Sequence, residues 1–222
     1  MAKQATKKKT APRVNTQQKI VKAYKDHLLR NGSKPASVYQ FTADLGLDEI
    51  EFYKYFPSFE VIDNEIWSEM IIHTIQSIKS DKVFEEYGAR EKMLSFYYTL
   101  IEVLKKDRSY VKMTFKRSNK PEFVPAQLKG FKAEFDMFCK EIISEGQDSE
   151  EIVRRPYISD RYHDGLWLQL VFIISFWLRD TSKDFERTDA AIEKSANLSF
   201  ELMGRGPLDM IVDFGKFLYQ NK

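Results

Sequence analysis

The residues whose types suit chemistry are few and scattered along the chain. His27, His73 and His163 stand far apart, and no helical pair of histidines flanks a glutamate as a zinc hydrolase site requires. Tyr162-His163-Asp164 has the composition of an acid–base group, but neighbouring residues on a helix point in different directions and would not converge. A single cysteine, Cys139, excludes both an internal disulfide and a cysteine-built zinc cage. There is no glycine-rich phosphate loop and no nucleophile elbow. The expectation is a protein that is not an enzyme, with no catalytic residue, no metal and no cofactor.

Charge is the stronger signal. The chain sums to only +2, but residues 1–35 carry ten basic side chains against Asp26, a net of +9. Residues 36–70 carry Lys54 against eight acids, a net of −7. Such a split bears on partners more than on fold. Lys7, Lys8 and Lys9 lie in residues 1–14, a stretch without apolar periodicity that is expected to be a flexible basic arm. Such an arm tracks nucleic-acid phosphates or is simply solvated. Asp48, Glu49 and Glu51 crowd a single helical turn.

The elements that would position these residues all follow helical spacing. Ile20, Ala23, Tyr24, Leu28 and Leu29 form an apolar stripe from Thr16 that stops at Asn31-Gly32. Ser37 can cap a short second helix with Val38, Phe41 and Leu45 on one face, broken by Gly46. Asp48-Glu49-Ile50-Glu51 has the form of a capping box and starts a third helix, with Phe56-Pro57-Ser58 ending the unit. Two short helices joined by a tight turn behind a longer one make a helix-turn-helix. A long fourth helix follows from Ser58, carrying Ile62, Ile66, Trp67, Met70, Ile71, Ile75 and Ile78.

Further helices are expected at about 89–106, 108–117 and 126–145, the last stopping at Gly146. After a connection over 147–158 come helices near 160–179, 185–203 and 207–219. Glycine ends one of the last two and Pro207 opens the next. No stretch alternates with period two, so the fold class is all-α.

An apolar fraction of 43% is enough to build a core, which argues against a disordered chain. No run reaches the roughly 20 apolar residues of a membrane helix, so no membrane insertion is expected. The N-terminal lysines are not followed by an apolar stretch, so no secretory signal is read and the expected compartment is the cytoplasm.

Residues 16–68 resemble the N-terminal domain of TetR-type repressors. The resemblance rests on the helix ending in Gly32, then Ser37-Val38-Tyr39-Gln40-Phe41-Thr42, Leu45-Gly46-Leu47, Phe52-Tyr53-Lys54-Tyr55-Phe56 and Glu60-Val61-Ile62. It implies a flexible basic arm over 1–14, a helix-turn-helix domain over 15–60, and a helical ligand-binding and dimerisation domain over 61–222. Ser37, Tyr53 and Lys54, with Lys7, Lys8 and Lys9, would then carry the DNA contacts. The departures give a degenerate recognition helix: Ile50 and Glu51 stand where the family commonly has glycine and then Thr or Ser. Tyr55 stands where it often has His, and Phe59 where a lysine usually meets the phosphate backbone. An acidic turn is read either as a surface helix or as an acceptor for cytosine.

By the same resemblance the larger domain would hold a hydrophobic small molecule or lipid and form a homodimer through the helices near 160–179 and 185–203. The 17 Phe, 11 Tyr and 3 Trp exceed what a minimal helical core needs. Phe96, Tyr97, Phe115, Phe131, Phe135 and Trp167, with Phe138 and Phe172, lie on helices expected to surround a pocket; plain core packing is the other reading. Two functions follow. One is a DNA-binding regulator, a repressor controlled by a hydrophobic ligand. The other keeps the fold, loses operator binding, and acts as a lipid-binding or partner-binding accessory factor.

Overall fold

The computed structural model describes residues 16–115 and 124–220, and every regular element among them is helical. Lys7, Lys8 and Lys9 lie outside the described residues. The chain divides into two compact units, one up to Ile62 and one from Asp63 onward.

In the first unit, α1 (Thr16–Asn31) turns Ile20, Tyr24 and Leu28 inward. The short helices α2 (Val38–Asp44) and α3 (Glu49–Tyr53) add Phe41 and Phe52. Phe59, the first residue of α4 (Phe59–Lys79), is the hub of this core. Its ring stacks on Tyr24 at 5.4 Å and meets Phe41 and Phe52 edge-on at 5.3 and 5.2 Å. Burying each such ring stabilises the unit by roughly 1.5–3 kcal/mol. Between α2 and α3 the amides of Leu45 and Leu47 both donate to the Thr42 carbonyl, at 3.0 and 2.9 Å. Gly46 sits there at φ +65°, a left-handed conformation that a Cβ would strain.

The expected capping box at Asp48 does not form. The Asp48 side chain makes no cap hydrogen bond; the Glu51 amide donates instead to the Asp48 backbone carbonyl at 2.9 Å. The Glu51 carboxylate turns forward to Lys54, because a cation one turn along offers it a stronger partner than an amide does.

The second unit contains the rest of α4, then α5 (Ala89–Lys105), α6 (Arg108–Thr114), α7 (Lys129–Asp148), α8 (Tyr162–Arg179), α9 (Glu186–Met203) and α10 (Pro207–Gln220). Helices α5, α7, α8 and α9 form a bundle in which α5 packs on α7 and α9, and α8 packs on the same two. The expected stop at Gly146 is overturned: α7 runs on to Asp148. Gly146 is there for close approach, since a Cβ would lie 2.7 Å from Ile152 Cδ1 and 2.9 Å from Ala89 Cβ. The helix expected over 108–117 ends at Thr114, and residues 116 and 117 lie outside the described residues.

The two long helices α8 and α9 are joined through Asp180. Its carboxylate accepts from the Ser182 amide and hydroxyl and from the Thr188 amide and hydroxyl, at 2.7–2.9 Å. Burial pushes its pKa up, but these hydrogen bonds outweigh it and hold the group well below the usual carboxylate range. Arg108 of α6 donates to the carbonyls of Trp177, Leu178 and Asp180 and so satisfies the C-terminal end of α8.

Candidate functional sites

Three surfaces or interiors emerge from this architecture. The first is the outer face of α2 and α3. Ser37 is the N-cap of α2, and its hydroxyl accepts from the Gln40 amide at 3.2 Å. Tyr39, Ile50 and Tyr53 are exposed beside it, at 71%, 72% and 52%. The Tyr53 hydroxyl donates to Glu49 at 3.4 Å, and Lys54 is paired with Glu51. Its hydrogen bond to the Glu51 carboxylate, and that group's charge, raise the Lys54 pKa. Two further cations of the unit serve its own structure. Lys19 donates to the Leu45 carbonyl at 2.9 Å and closes the end of α2, and Lys34 pairs with Glu60 at 3.1 Å. The charge split read from the sequence is thus partly a set of internal partners.

The second is the aromatic interior of the larger unit. Phe96, Tyr97, Phe131, Phe135 and Trp167 are all buried. They form one chain of ring contacts: Phe96 to Phe135 at 5.5 Å, Phe135 to Trp167 at 5.9 Å, and Trp167 to Phe131 at 6.2 Å. Tyr97 touches Phe96 at 5.7 Å, and Phe138 joins Phe96 at 5.0 Å. Phe115 is half-buried and reaches the chain through Trp67, 5.9 Å away. Phe172 does not belong here; it lies on the opposite face of α8 and is 46% exposed.

Trp67, which its spacing marks only as part of the α4 stripe, bridges Phe115 and Phe131, at 5.9 and 5.5 Å. Its indole donates to the Thr114 hydroxyl at 3.1 Å, and Tyr110 donates to Asp63 at 2.7 Å, so α4 and α6 are tied together by two side-chain hydrogen bonds. No spacing in the sequence announces that pairing. Within the interior the Tyr97 hydroxyl is buried with no hydrogen-bond partner among the described residues. Burial pushes its pKa well above the ordinary phenol value.

The third is the outer face of α8 and α9. One side of α8 is buried through Leu166, Trp167, Leu170, Ile173, Ile174 and Trp177. The other exposes Leu168 (54%) and Phe172, beside Leu198 (61%) and Leu202 (37%) of α9. Between the helices runs an open groove of about 750 Å³, lined by Leu168, Phe172, Phe176, Ala190, Ala191 and Leu198 among others. Gln169 zips the groove floor: its amide donates to Ser195 at 3.1 Å and its carbonyl accepts from Ser199 at 2.7 Å. The buried polar side chain is therefore satisfied from both ends.

Among the described residues no group of three or more His, Cys, Asp or Glu side chains is placed to hold a metal ion, and no helix is long and apolar enough to cross a membrane. No curated protein matches the sequence. Among solved structures, a TetR-family transcriptional regulator from Syntrophomonas wolfei is similar at TM-score 0.67 and 17% identity, covering 82% of this chain and 94% of that one. Thermus thermophilus FadR, a TetR-family repressor in complex with lauroyl-CoA, is similar at TM-score 0.63 and 15% identity, covering 86% and 98%. A TetR regulator from Nitrosomonas europaea is similar at 0.59 and 14%, covering 84% and 98%. At these identities the likeness speaks for the fold alone. Residues 92–218 match the model of the tetracyclin repressor-like C-terminal domain, more than half of the chain, and the chain belongs to that TetR family.

Proposed function

We propose that the protein is a one-component transcriptional regulator that binds DNA through its first unit and a hydrophobic ligand through its second. The observation that carries this reading is the helix-turn-helix unit of α2 and α3, which keeps its outward residues exposed, in a chain of this family. Ser37 at the start of α2 and the exposed Tyr53 are the groups offered to phosphates, with Lys54 once it leaves Glu51, and with the arm lysines Lys7, Lys8 and Lys9. A dimer formed through the outer faces of α8 and α9 presents two such units to successive major grooves. The role is non-enzymatic, and the compartment is the cytoplasm.

The aromatic chain from Phe96 to Phe115 is the ligand region. It is apolar, and the unpartnered Tyr97 hydroxyl offers one polar contact to an entering molecule. Lauroyl-CoA, bound by the Thermus relative, is the first probe to use. Ligand bound there biases α6 and α4 through the Trp67–Thr114 and Tyr110–Asp63 bonds, and so the fraction of DNA-competent dimer.

A labelled duplex from upstream of the protein's own gene, compared by fluorescence anisotropy with a scrambled duplex, tests the reading. Preference for the native duplex supports the regulator. Equal, feeble binding to both, with lipid carried through purification, supports the accessory role, which the acidic turn Asp48-Glu49-Ile50-Glu51 favours by repelling phosphate.

A further inference from the structure

Arg108 is a half-buried cation without a counter-ion. Its hydrogen bonds all leave from Nη2 and run to the backbone carbonyls of Trp177, Leu178 and Asp180 at 3.3–3.4 Å, longer than the usual N–H···O bond. These acceptors are neutral, and among the described residues no carboxylate lies within ion-pair distance of the guanidinium. The Asp180 carboxylate is taken up by Ser182 and Thr188 instead. Arg108 Nε is buried with no hydrogen-bond partner among the described residues, and the same holds for the indole nitrogen of Trp177, a side chain with no exposed surface. Buried donors without acceptors are rare in folded chains, and two in one cluster call for an explanation.

The two donors belong to one stack. The guanidinium carbon lies 5.4 Å from the centre of the Trp177 ring and 5.1 Å from that of Phe185, and the two rings meet edge-on at 6.2 Å. Lys105 Nζ, 5.4 Å from the Phe185 ring, is a second cation at the same place. Phe185 is held there by a strained turn: Asp184 and Phe185 have φ of 51° and 64°, left-handed values that aspartate tolerates and a bulky ring disfavours. Strain of this kind gathers at ligand clamps. Phe185 and Arg108 are both half-buried, so the stack reaches the surface.

We propose that this stack is a binding site for a small carboxylate, whose oxygens accept from Arg108 Nε and from the Trp177 indole while Phe185 moves aside to admit it. The planar guanidinium suits a planar carboxylate, and the anion brings the counter-charge that neutral carbonyls do not. A lone water would meet the donors but leave the charge unpaired. Opening also lets Phe185 leave its left-handed backbone, so the movement relaxes strain. The site is separate from the aromatic interior, because Trp177 stands beyond Trp167 on α8 by about 15 Å along the helix axis. Its failure would leave the interior ligand region as it is.

The full chain, isotopically labelled in its tryptophan indole nitrogens, is titrated with acetate, benzoate and octanoate, and with benzyl alcohol as the uncharged control. The indole N–H signals of its 3 Trp are followed by NMR. The signal missing from Trp177→Phe is the one to watch, and the other two report on folding. Calorimetry then compares wild type, Trp177→Phe and Arg108→Lys with the carboxylate that moves that signal most. The expected result is a saturable downfield shift of the Trp177 signal with a carboxylate and none with benzyl alcohol, and a dissociation constant raised at least tenfold in each variant. Trp177→Phe keeps the ring and removes only the donor, so the comparison holds even where Arg108→Lys unsettles the end of α8. A Trp177 signal that none of the three carboxylates moves leaves water as the occupant and overturns the site. An equal response to benzyl alcohol makes it an apolar slot, and unchanged affinity in Trp177→Phe puts the carboxylate elsewhere; either overturns it too.

Discussion

In the helix-turn-helix unit several polar side chains are engaged internally: Lys54 with Glu51, Lys34 with Glu60, Lys19 with the Leu45 carbonyl and Tyr53 with Glu49. In the larger unit the Tyr97 hydroxyl is buried with no hydrogen bond among the described residues, and Leu168, Phe172 and Leu198 face water. The first region already engages several of its polar groups, so a DNA partner would compete with contacts already made. The second region exposes apolar surface and holds a buried hydroxyl without a hydrogen bond among the described residues, so the proposed second copy and ligand would gain contacts that the single chain lacks.

The largest effect is expected at the exposed face of α8 and α9. Phe172→Asp should weaken the dimer by about 100-fold, ~2.7 kcal/mol, read by sedimentation equilibrium. Dimerisation unchanged by that charge would mean the exposed face of α8 and α9 has no counterpart after all.

Two tyrosines then form a matched pair. Tyr110→Phe removes the donor to Asp63 and should cost about 1–3 kcal/mol in urea unfolding, because the buried carboxylate loses a partner. Tyr97→Phe removes a hydroxyl with no partner among the described residues and should leave the protein as stable or more so, while weakening binding of a ligand that uses it. Equal losses in the two variants would erase the distinction between a used and an unused hydroxyl.

A smaller effect follows acid. The bonds from Arg155 hold the Asp209 carboxyl down at about 2, against an ordinary 3.8. Its folded pKa is the lower one, so its contribution is complete above the ordinary value and is lost as pH falls from there toward 2. The stability difference between the native chain and Asp209→Asn should therefore shrink across that window and stay flat above it.

The fold was largely legible because helix punctuation is local. Ser37, Gly46 and Pro207 each mark an element boundary by their own backbone preferences, and the boundaries they imply appear where expected. Gly146 misled for a physical reason: a glycine that ends a helix and one that lets Ile152 approach look alike in sequence. Asp48 and Glu51 had the spacing of a capping box, but Lys54 outcompeted the amide for Glu51. Phe59, where the resemblance implies a lysine, is buried as the hub of the first core. Arg155, in a stretch expected to be mere connection, closes α9 and anchors α10 through partners as much as 54 residues away, and no local pattern reports such a distance. The candidate DNA, pocket and dimer residues came from resemblance and ring content. The pairing state of Lys54 and the unmet Tyr97 hydroxyl are facts of packing.

If Glu51 holds Lys54 back from DNA, the salt dependence of binding, read by fluorescence anisotropy, will show it. The wild type and Glu51→Gln are each titrated onto the native and scrambled duplexes across salt concentration. The expected result is preference for the native duplex, and in Glu51→Gln a tighter complex whose log–log salt slope is steeper by about 0.9, one more phosphate contact. Equal, feeble binding of both proteins to both duplexes would contradict it.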